Sequence, residues 1–262
     1  MAHRILIVTA VAAEADSVSA GLASVAPEAR EVPAAPEHVP LPGGHALHRH
    51  AAEGDRARVD VLVGGVGPAA VAAATGTALA HAALTDADRR ERPYDLVVSA
   101  GIGGGFRPAA PLGSLVVSSA IVAADLGAET PDGYLAVDAL GFGRSAHPVP
   151  EALTGRVAAA LAAEGLPCAV APVLTVSTVT GTARRAAELA ERHPGAAAEA
   201  MEGFGVAEAA APYGVPVVEL RAVSNAVGPR DRAAWRIGDA LDALRRAAGA
   251  LSRTVPEEAP WN

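Results

Sequence analysis

Short apolar runs alternate along the chain with longer Ala-rich stretches, and turns rich in Gly or Pro separate the two. Ile5–Val8, Val59–Val63, Leu96–Ser99, Leu115–Val122, Ala171–Ser177 and Val215–Leu220 are mostly apolar at consecutive positions. That is the pattern of strands covered on both faces. Between them, helices are predicted from Ala12 to about Val25, after Pro68, over 151–165, from Thr182 to His193-Pro194, and after Glu202. Pro68 suits a first helical turn. Ile237, Leu241, Leu244, Ala248 and Leu251 recur at helical spacing and predict an amphipathic C-terminal helix. Strands and helices alternate without internal repeats, which predicts an α/β fold, a sheet with helices on both faces, as one domain over 1–262. Residues 27–45 hold five prolines and two glycines and read as a loop, because only one short strand and helix precede them. Asp125–Pro150 reads as a long irregular loop, a candidate lid or subunit contact. The polar residues 254–262 read as a flexible tail.

Composition narrows the function classes. Hydrophobic residues make up 51% of the 262 but aromatic ones only 3%, so the core is expected from Ala, Val and Leu. The formal charge is −8 and there is no Lys, which argues against a nucleic-acid partner needing a basic stripe. The single Cys168 excludes an intramolecular disulfide and reads as a buried thiol at the apolar start of a strand. No apolar run reaches the ~18 residues of a membrane span, and the N-terminal residues show no signal-peptide pattern. A soluble, cytoplasmic protein is expected. His45, His48 and His50 suggest a metal site at first sight, but the alternation over Leu47–Ala51 reads as an edge strand with solvated histidines. No metal and no cofactor are expected.

The chemistry is expected at strand ends, where open α/β sheets bind their ligands. Glu14 is the first acidic residue after the first strand, near a helix N-terminus, where a surface Glu complementing the dipole is the plainer reading. Gly64-Gly65-Val66-Gly67-Pro68 opens a helix and can receive an anion, yet it lacks the Lys-Ser/Thr of a P-loop. Gly101-Ile102-Gly103-Gly104-Gly105 mimics a dinucleotide fingerprint, but Phe106 falls at the third glycine, and Pro108 and Pro111 prevent the helix it requires. A glycine-lined strand end, open to close approach by a ligand, remains. Around Ala198–Asn225 the whole chain is organised. Glu202 opens a helix after Met201, and Arg221, Ser224 and Asn225 fall at or just past a strand's end. A dipole-complementing Glu and an Asn-capped strand end are the plainer alternatives.

Thr9–Glu14, Ser99–Gly104, Val176–Thr182, Ala200-Met201-Glu202 and Arg221–Asn225, taken together and in this order, resemble the nucleoside phosphorylase and nucleosidase superfamily. Within it the likeness is to methylthioadenosine/S-adenosylhomocysteine nucleosidases and, more closely, to futalosine hydrolases, which Asn225–Arg232 and Trp235 resemble in particular. The resemblance implies a three-layer α/β/α fold with a twisted mixed central sheet and a small-molecule nucleoside substrate. Glu14 matches the carboxylate that activates the attacking water, Glu202 the one that binds the ribose hydroxyls, with Met201 beneath the sugar. Arg221 matches a water-orienting or supporting Arg. Ile102 and Gly103 match the sugar–base wall, and Val179 and Thr180 positions whose backbone meets the purine. Members commonly complete the pocket across a dimer interface, so a homo-oligomer is implied, a dimer or higher. Arg144, His147 and the His45–His50 stretch are candidates for the substrate's 5' end.

Asn225 stands where adenine-specific nucleosidases carry an Asp. An ionised Asp accepts from an adenine 6-amino group but repels a 6-oxo group, whereas Asn donates to O6 and accepts from a protonated N7. Leaving the wrong group unpaired in a buried site costs about 1–3 kcal/mol. Hypoxanthine is therefore the expected base. Phosphorylases of the superfamily place Arg before the glycine loop and after the first strand; here Ser99 and Val11–Ala13 occupy those places. Water is the expected acceptor, in a futalosine hydrolase step of menaquinone biosynthesis. The alternatives are a methylthioadenosine/S-adenosylhomocysteine nucleosidase, a purine nucleoside phosphorylase, or a non-catalytic nucleoside-binding relative.

Overall fold

The computed structural model describes residues 3–24, 35–51, 57–87 and 90–254. In chain order, β1 (Arg4–Thr9) leads to α1 (Ala12–Ala23), then β2 (Glu37–Pro40), β3 (Ala46–His50) and β4 (Arg58–Val63). α2 (Pro68–Thr85), β5 (Leu96–Gly105), β6 (Leu115–Ala123) and the short strands β7 (Gly127–Thr130), β8 (Gly133–Ala136) and β9 (Ala146–Pro148) follow. The chain continues through α3 (Glu151–Ala163), β10 (Cys168–Thr175), α4 (Ala183–Arg192), β11 (Ala198–Ala200), α5 (Gly203–Ala210), β12 (Val217–Ala226) and α6 (Ile237–Thr254).

Successive strand residues point to opposite faces, and β1 shows what that builds. Ile5 and Ile7 join a core with Ala15, Val18 and Leu22 of α1 and Leu244, Ala248 and Leu251 of α6. Leu6 and Val8 join a second core with Val71, Ala74, Ala78 and Leu79 of α2. α1, α3 and α6 pack together on one side and α2 with α5 on the other, giving three layers. With so few aromatic residues, helices approach closely through glycine. A Cβ on Gly21 would lie 1.9 Å from the Arg245 carbonyl oxygen, and one on Gly205 2.2 Å from that of Pro68.

The large sheet runs β11-β10-β6-β12-β5-β1-β4-β3-β2, with β9 beside β6. It is mixed: β1, β4, β5 and β12 are parallel neighbours, while β12 and β6 are antiparallel. β11 also pairs antiparallel with β5, so β5, β12, β6, β10 and β11 close into a ring. Glycines at 104 and 105 of β5 make that closure. Asp60, inside the second apolar run, is fully buried; Tyr94 donates to it at 2.8 Å and Arg49 at 2.9 Å. Among the described residues no helix is long and apolar enough to cross a membrane.

Several expectations change. Within the expected loop 27–45, Glu37–Pro40 is a strand against β3, because alternate carbonyls and amides at 37–40 find partners at 46–49 despite the prolines; residues 27–34 lie outside the described ones. β3 is therefore internal rather than an edge, and His48 and His50 are part-buried; His50 meets the Ser19 hydroxyl at 3.1 Å. Asp125–Pro150 is not irregular: β7 and β8 form a hairpin and β9 joins the sheet. Leu96–Ser99 extends to Gly105, since glycine in a ladder between two strands continues the pairing. Cys168 begins β10 but is only half-buried. Arg221, Ser224 and Asn225 lie within β12, not past its end, because β12 keeps pairing with β5 to Ala226. Ala198–Ala200, which shows no apolar run of its own, is a strand. Of the expected tail, residues 255–262 lie outside the described ones.

Candidate active site

Glu14 sits at the third position of α1 and is 3% exposed, so the surface reading of it fails. One carboxylate oxygen accepts from the Ala10 and Val11 amides at 2.9 and 3.3 Å, which is half of a capping box. The other accepts from the Ile102 amide of β5 at 2.8 Å. β1 and β5 are neighbours, so the end of one strand and the glycine run of the next hold the same carboxylate.

Glu202 occupies the N-cap of α5 but does not cap its own helix; the Thr175 hydroxyl accepts from the Phe204 amide instead, at 2.9 Å. The Glu202 carboxylate accepts from the amides of Met201 at 3.2 Å and Gly67 at 3.3 Å. Gly67 has φ of +91°, a conformation that turns its amide toward the site. The anion received by the glycine loop after β4 is thus the protein's own side chain.

Arg221, 1% exposed, joins these parts. Its Nη1 lies 3.2 Å from Glu202, its Nε donates to Glu219 at 2.8 Å, and its Nη2 donates to the Ser99 hydroxyl at 3.0 Å. Gly101 lies beneath the cluster: a Cβ there would come 2.5 Å from a Glu14 carboxylate oxygen and 2.6 Å from Arg221 Nη1. Burial lowers the Arg221 pKa, but the carboxylates of Glu219, Glu202 and Glu14 more than offset it and hold the guanidinium charged. Burial pushes the Glu219 carboxyl up, against the pull of Arg221.

Beside this cluster lies a cavity of about 180 Å³. Ile102, Gly103 and Gly104 form one wall, Val179 and Glu199 another, and Ser224 with Asn225 a third, while Arg230 and Trp235 border the rest. That volume is below the ~300 Å³ at the small end of ligand pockets and suits a single heterocycle. Ser224 is the extra residue of a β-bulge between β12 and β5, which turns both Ser224 and Asn225 to the cavity. The Asn225 carbonyl accepts from the Ser224 hydroxyl at 2.9 Å, and its amide donates to the Ala226 carbonyl at 3.1 Å. Arg230 stacks over the Trp235 ring at 5.3 Å.

Two halves therefore stand side by side. The charged half brings Glu14, Glu202 and Arg221 together, with Met201 attached through its amide. The cavity half brings Ile102, Gly103, Val179 and Asn225 together. Thr180 is buried and does not border the cavity; its amide and hydroxyl both donate to Glu199, the amide at 2.8 Å. Glu199 and Glu219 were not singled out from the sequence. Glu219 had a readable signal, a lone acid in the apolar run two residues before Arg221 and so on the same strand face. Glu199 had none, since its three-residue strand is defined only by its partners. Of the 5'-end candidates, His147 and Arg144 meet at Glu208, at 2.7 and 3.5 Å. Among the described residues no group of three or more His, Cys, Asp or Glu is placed to hold a metal ion.

Residues 4–257 match the family model of the Phosphorylase superfamily. The chain is 57% identical to a futalosine hydrolase of Streptomyces coelicolor, over 98% of both chains. It is 46% identical to one of Acidothermus cellulolyticus, over 96% of this chain and 91% of that one. Among solved structures, a futalosine hydrolase of Helicobacter pylori superposes with a TM-score of 0.75 at 17% identity, covering 98% of this chain and 99% of the other. The methylthioadenosine/S-adenosylhomocysteine nucleosidase of the same organism superposes with a TM-score of 0.72, also at 17% identity, over 98% of this chain and all of that one. The last two comparisons establish the three-layer fold; the full-length match and the sequence identities establish that this chain belongs to the phosphorylase superfamily and, within it, to the futalosine hydrolase family of N-glycosidic bond hydrolases.

Proposed function

We propose that this chain hydrolyses the N-glycosidic bond of futalosine, releasing hypoxanthine, as a step of menaquinone biosynthesis. The observation that carries the hydrolytic reading is the state of Arg221: its guanidinium is shared among Glu219, Glu202 and Ser99, so it offers phosphate no free fork. The glycine-loop amide is likewise taken by Glu202. Identity of 57% over nearly the full chain supports the substrate.

In this reading Glu14 takes a proton from water as the water oxygen bonds to C1' and the C1'–N9 bond breaks. The transition state puts positive charge on the sugar and negative charge on the base. Glu202 accepts from the ribose hydroxyls and its charge favours the sugar cation, with Met201 below the ring. The base lies in the cavity between Ile102–Gly103 and Val179, with Thr180 setting Glu199 in place. Asn225 donates to O6, where the departing base gathers negative charge, and one well-placed donor of this kind contributes about 3 kcal/mol. Solvent supplies the proton that N7 takes up as the base leaves, and the Asn225 carbonyl accepts from that N7–H. Glu199 keeps free lone pairs beyond those used by Thr180 and accepts the N1–H that hypoxanthine has and adenine lacks. The chain works as one catalytic domain in the cytoplasm and assembles as a homo-oligomer; exposed Phe142, Leu126 and Leu135 support assembly.

The test is hypoxanthine release from futalosine in phosphate-free buffer, beside inosine and methylthioadenosine. Release from futalosine, unchanged by added phosphate, is expected. Release only with phosphate overturns the hydrolytic reading, and adenine release from methylthioadenosine alone overturns the base assignment. Sedimentation of the enzyme as a monomer would overturn the assembly.

A further inference from the structure

Glu219 is the most deeply buried member of the charged cluster. It is fully buried in the middle of β12, its amide donates to the Ser118 hydroxyl at 2.8 Å, and one carboxylate oxygen holds Arg221. The other oxygen has no hydrogen-bond partner. It rests against Gly203, where a Cβ would come 2.0 Å from it. A buried carboxylate oxygen left unpaired is costly, and a carboxylate is not needed merely to fill this strand position. What it does accomplish is visible in the distances: Arg221 meets Glu219 at 2.8 Å and Glu202 at 3.2 Å, with Glu14 across Gly101.

We propose that Glu219 is a positioning residue that draws the charge of Arg221 away from Glu202 and Glu14, so that the negative charge of these two carboxylates stays unscreened toward the substrate and Glu14 stays basic. The inference rests on the hydrolytic reading above, in which Glu14 is the base. Without Glu219, one guanidinium in a dry site neutralises the carboxylates that the reaction uses, and attraction there is far stronger than in water. With it, Arg221 still orients Glu202 through Nη1 while its Nε side is fixed from behind. Among the described residues the charged group beside Glu14 is Arg221 from β12, whose guanidinium Glu202 from the start of α5 also meets, with neutral Ser99 from β5 completing its partners. Those facing Glu219 are Arg221 and Glu202.

The test is Glu219→Gln, which keeps the shape and removes the charge, assayed for hypoxanthine release from futalosine across pH beside the parent enzyme. Expected are a kcat lower by about tenfold to a hundredfold, a KM within about twofold, and an acidic limb of kcat/KM displaced to lower pH by about one unit. Ser99→Ala, which removes an uncharged partner of the same guanidinium, leaves the acidic limb in place. A Gln variant with parental kcat and an unmoved limb overturns the inference, as does a change confined to KM. If the Gln variant does not fold, Glu219→Asp decides: it keeps the charge, so a limb at the parental position supports the inference and a displaced limb overturns it. A parent enzyme inactive on futalosine overturns the hydrolytic reading instead, and the two failures are told apart in one assay.

Discussion

Glu14 and Asn225 show how much of a residue's meaning is held by its neighbours. Glu14 has the position of an ordinary dipole-complementing side chain, yet three backbone amides converge on its carboxylate and fix it beside Arg221. Glu14→Gln removes the proposed proton acceptor and keeps the shape, so kcat for futalosine is expected to fall about 10²–10⁴-fold with little change in KM; hypoxanthine release measures it. Asn225 was read from its type, a group able both to donate and to accept, and the bulge at Ser224 places it on the cavity wall. Asn225→Asp puts a carboxylate at the proposed contact with O6. A loss of about ten- to a hundredfold in kcat/KM on futalosine is expected, with a smaller loss on its adenine-bearing analogue, and the ratio of the two rates is the measurement. Val179 borders the cavity as its motif position implies, whereas Thr180, expected to turn its backbone to the purine, gives its amide to Glu199 instead; that pairing spans nineteen residues and is not readable along the chain.

At the scale of elements, Ala and Gly do the work that large side chains do elsewhere. α5 approaches α2 so closely that Gly205 lies against the Pro68 carbonyl, and backbone cannot yield as a flexible side chain can. Gly205→Ala is expected to cost about 1–3 kcal/mol through overpacking. Gly155, on an exposed part of α3 with nothing within 4 Å of its Cβ position, is the opposite case. Gly155→Ala is expected to stabilise by about 1 kcal/mol through helix propensity, and urea denaturation of the two variants separates packing from propensity. The same contrast explains which elements could be read in advance. β1, β4, β6 and α6 carry their pattern locally. β2, β9 and β11 are three or four residues long and owe their extended state to pairing with β3, β6, and β10 with β5.

Over the whole molecule, buried acids set a pH dependence. Burial raises the Glu199 carboxyl above its ordinary value, against the hydrogen bonds from Thr180, and does the same to Glu219 against Arg221. A carboxyl raised on folding binds its proton more readily in the folded state. Its contribution to stability is then full below the unfolded value near 4.5 and is lost as pH rises through the folded value. Glu199→Gln avoids that loss. Its melting temperature is expected to exceed the parent's at pH 8. The difference closes as pH approaches 4, and melting curves across that range check it. A constant difference at all pH values would mean that the ionised carboxylate carries no such cost.

The sequence by itself determined the α/β class, the strands covered on both faces, the long helices, the Ala-built core and the identity of most groups that meet at the site. Those properties follow from periodicity, residue type and motif order, all of which are local along the chain. Only the tertiary structure decided that the sheet closes through β11, that β3 is internal, that Arg221 is shared among Glu219, Glu202 and Ser99, and that the glycine loop receives Glu202. Each of these depends on hydrogen-bond and charge partners far apart in sequence, and a residue's type states what it can bind but not which partner reaches it.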